Sequence, residues 1–159
     1  MADTESSTPL TQWICDVCGE DITDATRGLV VWRRGNNLSH YGFKVVHKSI
    51  DGRGCDPGAS AGYTASLDIS AFLGDVGLAR LLAFLSPGPL IKDREGEPFS
   101  RAQDLDEYVD LFRRFQTPWY EEARGRWSDS ETQQKLADAN EIYPYTPDVL
   151  VRVARGQLD

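Results

Sequence analysis

Cys15-Asp16-Val17-Cys18-Gly19 is the stretch on which the reading of this chain turns. Two residues between the cysteines let both sulfurs reach one ion from a tight turn. The glycine that follows permits the backbone bend that aims amide N–H groups at the thiolates. A tetrahedral shell needs two more ligands. His47 ends a strand-like segment, and Cys55 follows the glycine-rich turn Asp51-Gly52-Arg53-Gly54. Folding these back on the knuckle makes a Cys3His set, the donor set of a structural zinc site. All three cysteines of the chain enter it, whereas a closed disulfide framework would leave one over. His40 is the competing fourth ligand, in what reads as a loop without a fixed face. A redox-active C-x-x-C needs a preceding strand and a helix start within a βαβ unit, and that context is missing around Cys15.

Working outward, Leu29-Val30-Val31-Trp32-Arg33-Arg34 and Phe43-Lys44-Val45-Val46-His47-Lys48 are rich in strand formers. The residues between them, Gly35 to Gly42, have turn formers at both ends, so the pair reads as a β-hairpin with a longish loop. Alternation puts Phe43, Val45 and His47 on one face and Lys44, Val46 and Lys48 on the other. His47 thus shares the apolar face, where a ligand can be held.

Helical punctuation fills the second half. Asp75 reads as the cap of a helix bearing Val76, Leu78, Leu81, Leu82 and Leu85, stopped by Ser86-Pro87-Gly88-Pro89. Ser100 with Gln103 fits a capping box before a helix whose Leu105, Tyr108, Val109, Phe112 and Phe115 share a broad face. Thr117-Pro118 predicts a further helix start, with Glu121 and Glu122 in its first turn. Ser128 with Glu131 and Thr146 before Pro147 predict two more. Glu121 and Glu122 point in different directions on a helix and make no acid/base pair. Asp104, Asp106 and Asp110 read as a solvated face. No phosphate-binding glycine loop and no Ser-His-Asp pattern is present.

The chain has 159 residues, 40% of them hydrophobic and 26% charged, the composition of an ordinary globular protein. No apolar run approaches the roughly 20 residues that span a bilayer, and the first residues lack the basic and apolar regions of a secretory signal. A cytoplasmic location, where thiols stay reduced, is the expectation. Net charge is −8, which opposes bulk attraction to nucleic acid or anionic lipid. Between Arg27 and Gly54, however, six cations face a single acid, Asp51. The organisation read from these features is a disordered tail over 1–11, a zinc-binding knuckle and hairpin module over 12–58, and a mainly helical region over 59–159.

On Cys15–Gly19 and the hairpin, residues 12–58 resemble zinc-knuckle folds of the treble-clef or zinc-ribbon type. There, a C-x-x-C-G turn and a hairpin share a metal with ligands from a later segment. The layout also resembles small uncharacterised bacterial proteins that join such a knuckle to segments like Phe72–Leu78 and Pro118–Arg124. The resemblance implies a structural zinc and no particular activity.

The expected fold is α+β, a zinc-bound hairpin module packed on a mostly α-helical body. The expected function is that of a non-catalytic protein-interaction or regulatory protein, whose partner is another protein. One alternative is nucleic-acid binding with Arg33, Arg34, Lys44 and Lys48 on phosphates. Another is a zinc-dependent hydrolase, which requires that Cys55 stay off the metal and leave a position open.

Overall fold

The structure, a computed structural model, describes residues 10–50, 52–91 and 101–159. It is an α+β fold with two small antiparallel sheets among the described residues. Strands β1 (Trp13–Ile14) and β2 (Asp21–Ile22) flank the knuckle as a miniature ladder. Strands β3 (Gly28–Arg34), β4 (His40–His47) and β5 (Ala65–Asp68) form a three-stranded sheet in the order β4-β3-β5.

The hairpin β3–β4 pairs Gly28 with His47 and Arg34 with His40, with a bulge between Val31 and Arg33. Its β4 strand starts three residues earlier than the sequence suggested. The turn is therefore shorter, closed by Gly35 N–H on the Ser39 carbonyl at 2.8 Å. His40 is not in a loop. It is buried, and its Nδ1 accepts a hydrogen bond from Trp32 Nε1 at 2.8 Å while Phe84 stacks on its ring. An indole nitrogen only donates, so Nδ1 of His40 is unprotonated. Burial, reinforced by Arg34, holds its pKa below the usual histidine value.

Two apolar cores carry the described part of the molecule. The larger joins Trp13, Ile22, Val30, Val31, Trp32, Val45, Val46 and Phe72 to Leu81, Tyr108, Leu111 and Phe115 of helices α1 (Gly74–Ala83) and α2 (Leu105–Gln116). Val45 and Val46 are adjacent, and both are fully buried. Both faces of β4 are thus covered there, and the strand is not the half-solvated one that simple alternation implied. The smaller core gathers Tyr120 and Ala123 of α3 (Tyr120–Arg124) with Val149, Leu150 and Val153 of α5 (Pro147–Ala154). Helix α4 (Ser130–Leu136) buries none of its residues, and Leu136 packs at the margin of this core.

Several helix starts differ from the sequence expectation. Leu73 precedes α1, and Asp75 falls inside its first turn. Asp104 caps α2, its Oδ1 accepting from Glu107 N–H at 3.0 Å, and Ser100 lies outside the described residues. Trp119 adopts the left-handed conformation at φ 66°, which interrupts any helix begun at Thr117, so α3 starts at Tyr120. Asp129, not Ser128, precedes α4. Thr146 and Pro147 open α5 as read.

Candidate metal centre

Between β1 and β2 the chain makes the turn that C-x-x-C-G requires. Gly19 N–H donates to the Cys15 carbonyl and Cys15 N–H to the Glu20 carbonyl, each at 2.9 Å. Gly19 sits at φ 76°, where a side chain would be strained. The register of β3 on β4 carries His47 to the end of its strand, facing this turn. The chain then doubles back, with Ile50 and Arg53 exchanging N–H···O=C bonds at 2.9 and 3.0 Å, and Cys55 N–H reaches the His47 carbonyl at 3.1 Å. Gly54 is required here, because a Cβ at that position would lie 2.6 Å from Ser49 Cα.

The outcome is one cluster. The ligand atoms of Cys15, Cys18, His47 and Cys55 all lie within 4.8 Å of one another. His47 Nδ1 is 3.4 Å from Cys18 Sγ and 3.8 Å from Cys55 Sγ. In a tetrahedral zinc site with ordinary Zn–S and Zn–N lengths, sulfur and nitrogen ligands stand about 3.5 Å apart. The donor set and its spacing therefore fit that ion. His47 Nε2 lies 3.2 Å from the Asp21 carbonyl, which fixes the proton on Nε2 and leaves Nδ1 as the ligating atom.

The sulfurs differ in environment. Cys15 is buried, and burial raises its pKa. Donation from the backbone N–H groups of Cys18, Val17 and His47 and from the Cys18 thiol outweighs this and brings it to about 6. Burial and the neighbouring Cys15 and Cys18 sulfurs push Cys55 up to about 11. Of these two thiols, Cys15 gives up its proton the more readily.

A second polar knot, which sequence reading missed, holds the knuckle from behind. Arg114, in α2, is almost completely buried. Its Nε donates to Glu121 Oε2 at 2.9 Å, Nη2 to Glu121 Oε1 at 2.7 Å and to the Ile14 carbonyl at 2.8 Å, and Nη1 to Asp16 Oδ2 at 2.7 Å. Glu121 Oε1 also accepts from Ile14 N–H at 2.8 Å, and the Arg114 carbonyl accepts from Trp13 Nε1 at 3.0 Å. Burial disfavours the Arg114 charge, but Glu121 and Asp16 more than compensate and hold its pKa above the usual value. Asp16, between the two cysteines, also exchanges hydrogen bonds with Val45 of β4, N–H to carbonyl at 2.8 Å and Val45 N–H to Oδ2 at 2.7 Å. The knuckle is thus fastened to strand, α2 and α3 through one carboxylate. Asp110, read as a solvated residue, instead accepts from Tyr120 Oη at 2.6 Å and faces Arg124 Nε at 3.4 Å.

The basic residues of the hairpin are dispersed in their contacts. Lys48 pairs with Asp68 at 3.0 Å, and the Arg33 guanidinium lies over the Tyr63 ring at 4.7 Å. Lys44 lines a cleft of about 360 Å³ with Asp16, Glu107, Asp110 and Arg124. Arg34 is exposed at the mouth of a groove walled by Trp32, His40 and Phe84.

Comparison of the chain with protein-family models, with curated proteins and with solved structures finds no match in any of the three. Among the described residues, no helix is long and apolar enough to cross a membrane.

Proposed function

We propose that Cys15, Cys18, His47 and Cys55 hold one structural zinc ion, and that the chain serves as a non-catalytic protein-interaction or regulatory protein. The observation that carries this reading is the convergence of three sulfurs and one imidazole nitrogen within 4.8 Å. Four protein donors fill a tetrahedron and leave no position for an activated water, which a hydrolytic zinc needs. Zinc bound there cross-links the knuckle, the end of the hairpin and the Cys55 turn. In zinc-finger peptides such cross-linking contributes an apparent ~10–16 kcal/mol to folding. Thiolate-rich ligation also weakens the metal as a Lewis acid, which favours a scaffold over a catalyst.

Nucleic-acid binding by the hairpin has less support, because Lys48 and Arg33 already have partners and Lys44 stands among carboxylates. The readings separate experimentally. Cobalt substituted for zinc reports its coordination by its visible spectrum. A closed site gives a tetrahedral, thiolate-rich spectrum that added azide or cyanide leaves unchanged. A spectrum that shifts with azide contradicts the structural reading and directs attention to hydrolysis. Tight binding of the zinc-loaded protein to a mixed-sequence DNA or RNA duplex, falling steeply with salt, would favour the nucleic-acid alternative.

A further inference from the structure

The two outer edges of the three-stranded sheet are finished differently. On β4 the outward backbone groups are covered along the strand. His40 N–H donates to the Arg101 carbonyl at 2.7 Å, and its own carbonyl accepts from Gln103 N–H at 2.8 Å. Phe43 N–H donates to Glu107 Oε1 at 2.5 Å, and Val45 is bonded to Asp16 on both groups. The His47 carbonyl accepts from Cys55 N–H.

On β5 the ladder leaves the outer edge open. The backbone groups of Val45 point away from β3, so Lys44 and Val46 make the bonds to Val31 and Leu29. By alternation, Val30 and Trp32 face β5 and bond Leu67 and Ala65. Ser66 therefore points its N–H and C=O away from the sheet, as Asp68 does its N–H. Among the described residues, no strand or loop bonds to Ser66 from outside. Natural sheets cover or blunt such edges, because an open one templates pairing with another chain.

We propose that β5 is an association edge, and that its occupant is the β5 strand of a second copy of this chain, antiparallel about a twofold axis through Ser66. Outward residues must meet outward residues, so the register follows. Ser66 faces Ser66 of the other copy, and Asp68 faces Thr64, which gives about four backbone hydrogen bonds. The side chains suit this register. Ala65 falls opposite Leu67 of the other copy, small against large, in the groove of about 450 Å³ lined by Trp32, Ala65, Leu67 and Phe84. Charge is complementary as well. Arg34 stands exposed at one end of β5, and Asp68 stands at the other with only its Oδ1 bonded to Lys48. Antiparallel pairing sets each acidic end beside the basic end of the other copy.

The test is sedimentation of the full-length, zinc-supplemented protein across a concentration series, with Ser66→Pro and Arg34→Glu alongside. Proline at Ser66 removes only an outward N–H, and an edge strand tolerates that. Its thermal melt should therefore stay near wild type. Arg34→Glu changes an exposed side chain and leaves the backbone untouched. The expected result is a reversible monomer–dimer equilibrium whose dissociation constant rises roughly tenfold or more in Ser66→Pro. In Arg34→Glu it should rise less, and by an amount that salt reduces. A chain that stays monomeric at every concentration overturns the proposal. So does a dimer indifferent to both substitutions, whose contact would lie elsewhere, for example on exposed Leu82, Leu105 and Val109. Metal content measured on the same samples keeps a failure here distinct from a failure of the zinc reading.

Discussion

The knuckle from Trp13 to Ile22 is gripped from two sides by very different means. In front stand three sulfurs and an imidazole, brought together by a turn, a strand end 29 residues further on and a second turn just beyond it. Behind stands Arg114, about a hundred residues away, clasping the buried Glu121 and the partly exposed Asp16. The front grip, on the proposed reading, closes around a metal ion and needs its thiols deprotonated. The back grip requires that helices α2 and α3 be folded, and its cation is a guanidinium held above its usual pKa by Glu121 and Asp16. The difference separates two roles. The Arg114 knot orients the knuckle against the body of the protein, while the Cys3His cluster, if it holds the proposed zinc, ties the knuckle to the Cys55 turn.

Breaking the back grip should have the largest effect on the folded body. Arg114→Met leaves Glu121, 2% exposed, without its cation. Removal of one partner from a buried pair costs about 3–5 kcal/mol. Urea denaturation should record that loss, and much of it should return when Glu121→Leu is added to the same chain. A cost below about 1 kcal/mol for Arg114→Met would mean that water reaches the pocket.

Gly54→Ala breaks the front grip without touching a ligand. The added Cβ meets the Ser49 backbone, which must shift, at a cost of about 1–3 kcal/mol. Because the shift moves Cys55, zinc affinity measured by competition with a chelator should fall as well. Unchanged affinity would place the turn outside the site.

The two grips should also differ in their response to pH. Thiols must lose protons to bind zinc. As pH falls, affinity should decline throughout, because Cys55 is held up near 11 and always arrives protonated. Below about 6, Cys15 takes up its proton too, and the decline should steepen. A slope that stays constant through that point would show that Cys15 is not held near 6.

A smaller effect lies at the start of α2, the helix that carries Arg114. Asp104→Ala removes the side-chain acceptor for Glu107 N–H, worth about 1 kcal/mol in a thermal melt. It should leave metal binding as it was.

Much of the front was legible in the sequence and almost none of the back. C-x-x-C-G, His47 and Cys55 announce themselves because ligand chemistry restricts both residue type and local spacing. The hairpin is announced by Leu29–Trp32 and Phe43–His47, which are dense in strand formers. Strand β5 escaped notice because Ala65-Ser66-Leu67-Asp68 has no β-branched or aromatic residue, and only pairing with β3 makes it a strand. His40 read as a loop residue because nothing local says that Trp32 will bond its ring. Arg114 draws no reading and Glu121 reads only as an acid in the first turn of a helix, since a buried ion pair carries no mark of burial until the elements around it are placed. The late start of α3 turns on the left-handed Trp119, a conformation that the Thr117-Pro118 signal does not encode.

The central claim is a closed metal site of three sulfurs and one nitrogen. It is met most directly by metal analysis joined to X-ray absorption at the metal edge, on wild type and on Cys55→Ala, prepared under reducing conditions without chelator. The account predicts about one zinc per chain in the wild type, ligated by three sulfurs and one nitrogen, and loss or marked weakening of binding in the variant. A wild-type protein that holds no metal, or a wild-type zinc that carries an oxygen ligand while Cys55→Ala keeps its full complement, would contradict it.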